Sequence, residues 1–186
     1  GGIRAGDGNP CILNNVVDNN LGRYGAGIVL NYCGATVRNT IIASNSGGED
    51  YGGGGVWAYA NGASPKLFEN CAVAYNHSAL MGGGMRFWST GGPVRNCIVW
   101  ANSAQNGPQI FPTTGGPPVT YSDVQGGWAG DGNIDADPDW GPGSLMLRTT
   151  SPCVDTGDPD PAYHDPDSEG VARWPALGGL RNDMGA

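Results

Sequence analysis

The sequence is short of basic residues and has no long apolar run. Lysine and arginine together number 9 against 17 aspartates and glutamates, and Lys66 is the only lysine. A nucleic-acid partner needs a basic surface that neutralises its phosphates, so this charge balance argues against nucleic acid. No stretch of about 18 apolar residues occurs either, and we therefore expect no membrane-spanning helix.

Residue clusters typical of common metal and catalytic centres are also lacking. The 5 cysteines match no zinc or haem spacing, and His77 and His164 have no companion ligands. Both histidines lie far from a plausible nucleophile, which argues against a Ser-His-Asp or Cys-His site. We expect that this chain carries no catalytic residues.

Helical periodicity is absent as well, whereas glycine and proline are abundant. The 186 residues include 34 glycines and 14 prolines. No segment repeats its apolar residues at the period of about 3.6 that a helix needs. The glycines keep no three-residue spacing, which excludes a collagen helix.

The sequence does contain a long repeat built around asparagine. In each repeat two asparagines stand six residues apart, and successive repeats begin 25, 31 and 26 residues after one another. Such self-similarity is typical of a solenoid, in which one structural unit stacks on copies of itself. Stacked asparagines can hydrogen-bond their amides along the column, so we predict a structural ladder. The pairs are Asn14 and Asn20, Asn39 and Asn45, Asn70 and Asn76, and Asn96 and Asn102.

Apolar residues keep fixed positions relative to the first asparagine of each pair. One column lies two positions before it and another lies three positions after it. The second column contains only β-branched side chains, which suit a packed strand. The first column is Ile12, Val37, Phe68, Val94 and Val119, and the second is Val17, Ile42, Val73, Val99 and Val124.

Each unit opens with a glycine followed by an apolar residue. Glycine tolerates the positive φ of a sharp corner, so we interpret these positions as bends between short strands. Units of 25 to 31 residues suit one coil of a parallel β-helix, in which each strand pairs with the same strand one coil away. The opening glycines are Gly2, Gly27, Gly55 and Gly84, with Gln109 as a worn fifth copy.

Short segments of the C-terminal third form a specific signature in combination, although each segment alone would be weak evidence for a family. They are Tyr121–Trp128, Gly132–Pro138, Leu145–Leu147, Ser151–Asp158 and Asp183–Ala186. With the repeat, they resemble the right-handed parallel β-helix repeat proteins of the secreted and surface-attached bacterial type, in the superfamily shared with pectate-lyase-like proteins. That family includes polysaccharide lyases and other carbohydrate-active enzymes, and also members with no known activity, so the resemblance settles little about chemistry.

The resemblance implies an all-β, right-handed parallel β-helix in an extracellular or cell-surface protein. We predict about five coils over residues 1–126 and an acidic, loop-rich C-terminal cap at 127–186, packed on the same solenoid. Such a cap covers the open end of a solenoid.

The acidic C-terminal third contains a spacing of carboxylates that is typical of metal ligands. Of the 17 acidic residues, 11 follow Gly127. Asp165, Asp167 and Glu169 alternate along the chain, which imitates the first half of a calcium-binding loop. The twelfth position of that loop would be Ala176, so the bidentate carboxylate is missing. Two interpretations remain open: the cap binds no metal, or it binds one structural Ca²⁺.

Two cysteines occupy equivalent positions in neighbouring coils. Cys71 and Cys97 each follow the first asparagine of a pair, so stacking brings their backbones within disulfide range. Both a disulfide and a buried pair of thiols fit this position.

The strand after each glycine corner presents alternate residues to solvent. No carboxylate occurs at these outward positions, so the paired acids of a glycosidase are absent from this face. The face is aromatic instead, and flat rings pack against sugar rings or against partner proteins. Cover beneath corner loops, protein contact and glycan contact all remain open interpretations. The residues concerned are Trp57, Tyr59, Arg86, Trp88 and Phe111.

The first residues already match the repeat, since Gly2 and Ile3 form an opening motif. Two explanations are open: upstream coils have been removed, or another subunit covers this end. In the second case contacts between copies propagate head to tail into a fibre.

From these observations we expect a non-catalytic, extracellular structural or adhesive module, with a self-associating fibre subunit as its most specific form. The alternative is a fragment of a carbohydrate-active β-helix enzyme, or a polysaccharide-binding module. The expected partners are therefore copies of the chain itself, end to end, or a glycan.

Overall fold

A computed structural model describes residues 1–59, 66–89, 91–165 and 176–186, together with the backbone of two short strands at 167–168 and 171–172. Parallel strands dominate it, and they stack as a β-solenoid. Within the described residues the only helix is a single 3₁₀ turn at Pro161–Tyr163, and none is long and apolar enough to cross a membrane. The predicted all-β parallel solenoid is confirmed.

Three sheets of five strands run the length of the solenoid, and each strand pairs with its equivalents in the neighbouring coils. The first sheet contains β1 (Ile3–Gly6), β5 (Ile28–Asn31), β9 (Val56–Tyr59), β13 (Met85–Trp88) and β16 (Ile110–Pro112). The second contains β2 (Cys11–Leu13), β6 (Thr36–Arg38), β10 (Leu67–Glu69), β14 (Val94–Arg95) and β17 (Val119–Thr120). The third contains β3 (Val16–Asp18), β7 (Ile41–Ala43), β11 (Ala72–Ala74), β15 (Ile98–Trp100) and β18 (Asp123–Val124).

A fourth, shorter sheet closes each coil. It contains β4 (Leu21–Gly22), β8 (Ser46–Gly47) and β12 (His77–Ser78), and a single bridge from His77 to Ser103 continues it. Outside the solenoid, β19 (Asp167–Ser168) and β20 (Val171–Ala172) form an antiparallel pair.

The coil count differs slightly from the prediction. Five strands per sheet enclose about four turns rather than five coils. The fifth repeat contributes a strand to each of the first three sheets but not to the fourth, because the chain leaves the repeat after Val124.

The two apolar columns lie inside the solenoid in the predicted register. Val17 pairs with Ile42, Ile42 with Val73, Val73 with Val99, and Val99 with Val124. All five side chains are buried in one continuous core together with the column that begins at Ile12. The side chains alternate in and out of the sheet, so this register directs every second residue of each strand to the core.

The second asparagine of each pair lies at an inner corner and joins a chain of amides. Asn20 donates to the side-chain oxygen of Asn45, Asn45 to that of Asn76, and Asn76 to that of Asn102, over 2.9, 2.9 and 3.0 Å. Gln109 ends the chain by accepting from Asn102 at 2.8 Å. Each oxygen also accepts the backbone N–H of the asparagine one coil before it. We call this set of residues the amide ladder.

The opening glycines belong to the same corner as the amide ladder. A Cβ on Gly55 would lie 2.9 Å from Nδ2 of Asn76 and 2.6 Å from the carbonyl oxygen of Gly84. Gly27 and Gly84 meet Asn45 and Asn102 in the same way, and none of the three has a positive φ. These opening glycines are therefore required by the close approach of stacked backbone and amide. The positive φ that the sequence suggests for the Gly-rich corners occurs in the glycines just before them, such as Gly53 and Gly82.

The first asparagine of each pair has another role. Asn14, Asn39, Asn70 and Asn96 all adopt positive φ, between 48° and 56°. Asparagine tolerates this left-handed conformation better than most residues, which explains the column. No amide-to-amide bond joins these four described residues to one another, so the ladder that the sequence predicts for both columns forms only in the second.

We expect truncation in the middle of the amide ladder to destabilise the fold strongly. In Asn76→Ala the backbone and side-chain N–H groups of Asn45 lose the oxygen that accepts them. The backbone carbonyl of Ile42 and the side-chain oxygen of Asn102 lose a donor, and all of these groups are buried. Leaving several buried polar groups without partners should cost about 3–5 kcal/mol. The shift of the urea unfolding midpoint measures this cost. Asn106→Ala, at an exposed position outside the ladder, is the matched control, and an equal effect of both changes would contradict the role of the ladder.

Candidate functional site

The outward positions of the first sheet form one column along the solenoid. Arg4 pairs with Val29, Val29 with Trp57, Trp57 with Arg86, and Arg86 with Phe111. In the next outward column Tyr59 pairs with Trp88. The register therefore brings together all five residues of the aromatic face that the sequence indicates.

Burial divides this face into covered and open residues. Trp57 is 8% exposed and Arg86 is 3% exposed. The corners before each strand cover them, because a Cβ on Gly53 or Gly82 would lie within 2.9 Å of the Cβ of Trp57 or Arg86 respectively. Both glycines have positive φ, which turns the chain back over the strand that follows. For Trp57 and Arg86 the corner loops thus provide cover.

Two tyrosines extend the open part of the face. The rings of Tyr24 and Tyr51 stack with centroids 4.7 Å apart, and Tyr51 contacts Trp88 at 5.9 Å. Trp57 contacts both Tyr24 and Tyr59 at 5.9 Å. We call these five residues the aromatic row. Sequence reasoning missed Tyr24 and Tyr51, although a Tyr-Gly pair at equivalent corners was a usable signal.

Arg86 lies beneath the aromatic row, and no carboxylate of a described residue forms an ion pair with it. Its guanidinium carbon is 4.9 Å from the ring centre of Trp88 and 5.0 Å from that of Phe111. Nη2 donates to the hydroxyl of Thr113 at 3.3 Å, whereas Nε and Nη1 have no hydrogen-bond partner among the described residues. Burial lowers the pKa of this side chain. The two rings stabilise the guanidinium through cation–π contacts, which fixes the position of Trp88.

An open groove of about 530 Å³ adjoins the aromatic row. Tyr24 and Trp57 line it together with Arg4, Arg23 and Asn31, and no carboxylate does. Arg23 forms an ion pair at 2.7 Å with Asp50, which lies outside the groove. The side chains of Arg4 and Asn31 make no hydrogen bond or ion pair with the part of the chain that the structure describes. The first groove, as we call it, thus combines aromatic walls with free donors.

The C-terminal segment covers more than the end of the solenoid. Residues 130–136 close the last coil, where Ile134 bridges to Asp123 and Asn133 donates to the carbonyl of Val119 at 3.0 Å. The chain then returns along the outer face of the third sheet. There a second, smaller core forms from Ile98, Cys153, Met184, Trp100, Ile134, Trp140 and Leu147.

Asparagines of the first column hold this returning segment in place. Asn70 donates to the side-chain oxygen of Asn182 at 2.7 Å, and the side-chain oxygen of Asn96 accepts from the backbone of Asp158 at 2.7 Å. Arg95 pairs with Asp158 at 3.6 Å. The positive-φ corner that repeats through the coils therefore becomes the docking edge for the C-terminal segment.

The predicted calcium ligands fall largely outside the described residues. Nothing is described of Glu169 or of the side chain of Asp167. Both oxygens of Asp165 already accept hydrogen bonds within the chain, from Asn182 at 2.8 Å and from the backbone of Asp183 at 3.2 Å. In the described part of the chain no group of three His, Cys, Asp or Glu residues is arranged to hold a metal. Calcium at this loop stays a prediction.

Cys71 and Cys97 are both free thiols in the small inner column. Cys71 donates to the carbonyl of Glu69 at 3.3 Å and Cys97 to that of Arg95 at 3.1 Å. Burial raises the pKa of Cys97 well above its ordinary value. Both thiols therefore act as small buried donors to the strand before them.

A second groove, of about 740 Å³, lies between the outer face of the third sheet and the returning segment. Val16, Ile41 and Ala43 line it from the sheet. Tyr75 and Trp140, with ring centres 5.7 Å apart, line it as well. Three carboxylates, Asp18, Asp137 and Asp139, complete the lining. Sequence reasoning missed this groove, because its two sides come from distant parts of the chain.

Comparison of the chain with protein-family models, with curated proteins and with solved structures finds no match. The resemblance that the sequence suggests is therefore shown at the level of the parallel β-solenoid alone.

Two carboxylates, the buried Asp123 and the half-buried Asp165, should make the protein more stable in mild acid than at neutral pH. Burial raises the pKa of Asp123 to about 6, and burial together with Asp183 raises the pKa of Asp165 to about 6. The folded state therefore binds protons that the unfolded state releases above about pH 4, so stability falls as pH rises from about 4 to 6. For the fully buried Asp123 we expect a loss of about 1–3 kcal/mol.

Thermal or urea unfolding at pH 4.5 and pH 8 measures this dependence. Asp123→Asn should reduce it, since the amide oxygen still accepts the backbone N–H of Ala136 without a charge. Asp131→Asn removes a carboxylate at an exposed position and should leave the dependence unchanged. Stability that rises between pH 4.5 and pH 8 would show that these carboxylates are not held neutral by the fold.

Proposed function

We propose that this chain is a non-catalytic adhesive module, extracellular or attached to a cell surface, that binds a polysaccharide along the outer face of the first sheet. The observation that carries the proposal is the aromatic row beside the first groove. Tyr24, Tyr51 and Trp88 are 46%, 40% and 36% exposed. Large aromatic surface left open on a packed protein is typical of a binding site.

The chemistry of the first groove suits a sugar chain. Apolar faces of sugar rings pack on aromatic side chains, and their hydroxyl groups need hydrogen-bond donors and acceptors beside those rings. The free guanidinium of Arg4 and the free amide of Asn31 supply them next to Tyr24 and Trp57. The volume of the groove, about 530 Å³, lies within the range of small-ligand sites.

The site stands on a rigid support. Trp57 and Arg86 are buried under the corner loops and pack against the exposed rings of Tyr24 and Trp88. Rings that are already ordered lose little conformational entropy on binding, which favours affinity. Cover and binding are therefore compatible roles for different residues of the same face.

Removal of the exposed rings should weaken polysaccharide binding without unfolding the protein. We expect Tyr24→Ala and Trp88→Ala each to weaken retention in a polysaccharide affinity gel by about tenfold in Kd, equivalent to about 1.4 kcal/mol. Tyr75→Ala is the matched comparison, because Tyr75 is also an exposed tyrosine but lines the second groove, so a loss of retention in this variant alone would assign binding to that groove. Trp57 is unsuited to this test, since its burial makes truncation a change in stability.

Equal retention of the unchanged protein and both variants on every polysaccharide gel would remove the proposal. Retention on a protein partner, lost in the same two variants, would assign the aromatic row to protein contact instead.

The second candidate function is that of a carbohydrate-active enzyme fragment. The observation that favours it is the set of carboxylates around the second groove, since glycoside hydrolysis needs a pair of them. Asp139 is less suited than the others, because it already pairs with Arg148 at 3.2 Å and accepts from Thr150. Asp18 and Asp137 would then have to act as acid and base.

We expect no release of reducing ends when the protein is incubated with the polysaccharides that its aromatic row retains. A reducing-sugar assay over several hours measures this, with Asp18→Asn and Asp137→Asn as companions. Product that forms with the unchanged chain and disappears in either variant would establish the enzyme and contradict the non-catalytic assignment.

End-to-end self-association into a fibre remains a prediction of the sequence. The structure contains one chain, so the fibre proposal rests on the solenoid architecture, in which heterologous end contacts propagate.

A further inference from the structure

The second groove differs from the first in its charge. Asp18 and Asp137 line it, and neither forms an ion pair with a described residue. Asp139 is neutralised by Arg148. Among the described residues no lysine or arginine lines the groove, whereas two arginines and no carboxylate line the first. The second groove is therefore a negatively charged site with nothing in the described chain to balance it.

Apolar and aromatic side chains also line the second groove, together with the hydroxyl groups of Ser44 and Ser144. Val16 and Ile41 point outward from the third sheet, at positions that alternate with the buried column of Val17 and Ile42. Tyr75 and Trp140 have ring planes at 51° to one another, with centres 5.7 Å apart. Each ring carries negative charge density on its face.

We propose that the second groove binds an organic ammonium ion, with an alkylated nitrogen packed against the rings of Tyr75 and Trp140 and its charge balanced by Asp18 and Asp137. A cation within about 6 Å of a ring centre gains cation–π energy, and quaternary ammonium groups are recognised by such aromatic pairs. The apolar side chains of Val16 and Ile41 contact the alkyl groups. Carboxylates at the rim supply the charge complementarity.

An alkylated cation fits this lining better than a metal ion does. Calcium and magnesium need several oxygen ligands around one point, whereas this groove offers only a few carboxylates beside apolar and aromatic side chains. A neutral apolar ligand would leave the carboxylates desolvated without compensation. Asp18 and Asp137 each accept one hydrogen bond, from Asn19 and from the backbone of Asp139, but neither charge is balanced by a described cation. The combination of rings, alkyl surface and unbalanced carboxylates selects a ligand that is both charged and apolar.

Three probes separate these contributions. Tetramethylammonium carries the charge and the methyl groups, tert-butanol carries methyl groups without charge, and potassium carries charge without methyl groups. Titrations of the full chain followed by NMR of the tryptophan indole N–H groups should show saturable shifts with tetramethylammonium alone. Choline and N-acetyl-lysine amide then distinguish a free small molecule from a lysine side chain of a protein as the source of the ammonium group.

Substitutions of residues that line the second groove test whether tetramethylammonium binds there. We expect Tyr75→Ala to weaken tetramethylammonium binding about fivefold, through loss of one cation–π contact. The double change Asp18→Asn with Asp137→Asn should weaken it about tenfold. Tyr32→Ala is the control for the first, because Tyr32 and Tyr75 are both 53% exposed and Tyr32 lies outside the second groove. Asp131→Asn is the control for loss of charge.

Circular dichroism confirms that each variant keeps the fold before it is titrated. Binding that persists in both groove variants, or that falls equally in the Asp131→Asn control, would overturn the proposal and reduce the effect to general attraction by a chain of net charge −8. Equal shifts with tert-butanol or with potassium would also overturn it. Retention on polysaccharide gels concerns the other face, so either site can fail without the other.

Discussion

The amide ladder and the glycines that face it form the constraint on which the rest of this structure depends. Each ladder asparagine bonds to the amide side chain of the next coil, which is Gln109 for Asn102 and an asparagine for the others. Asn45, Asn76 and Asn102 also donate to the backbone of a preceding coil. The ladder fits only because the facing glycines lack a Cβ. Buried polar groups are thereby satisfied at a corner where no sheet can satisfy them. The ladder thereby joins each coil to the next in the same register in which the parallel strands pair, and this register aligns the valine column in the core.

Because the coils stack regularly, the sequence repeat produces continuous surfaces along the solenoid. Because equivalent residues lie directly above one another, a residue type that recurs at an outward position becomes a stripe along the molecule. The aromatic row is such a stripe, supported by the buried Trp57 and Arg86. The second groove arises differently: the returning C-terminal segment covers the apolar Ile98 on one part of the third sheet and leaves Val16 and Ile41 open beside it. One solenoid thus presents a groove with arginines on one face and a groove with carboxylates on another.

Much of the fold was predictable, because a solenoid places residues that are close in the repeat close in space. The positions of Val17, Ile42, Val73, Val99 and Val124 predicted both the register and the core. The role of the opening glycines was not predictable, since Gly55 is constrained by Asn76 and Gly84, which approach it only after the coils stack. The first asparagine column was predicted to form a ladder but forms a left-handed corner instead. The sequence could not distinguish the two, because asparagine suits both. For the candidate site, Trp57, Tyr59, Arg86, Trp88 and Phe111 followed from strand alternation, whereas Tyr24 and Tyr51 reach the face from corners whose path no alternation rule describes.

By itself the sequence determined the parallel β-solenoid, the inward columns and the aromatic character of the first sheet, because each depends on a period that is visible along the chain. Only the tertiary structure decided which aromatic rings stay open, where the acidic C-terminal third runs, and that Asp18 and Asp137 share a groove. The physical reason is that these features depend on contacts between segments of different repeats, or outside the repeat altogether. The burial and the charge of these sites depend on packing between residues more than a hundred positions apart in the chain. A local sequence pattern carries no information about such packing.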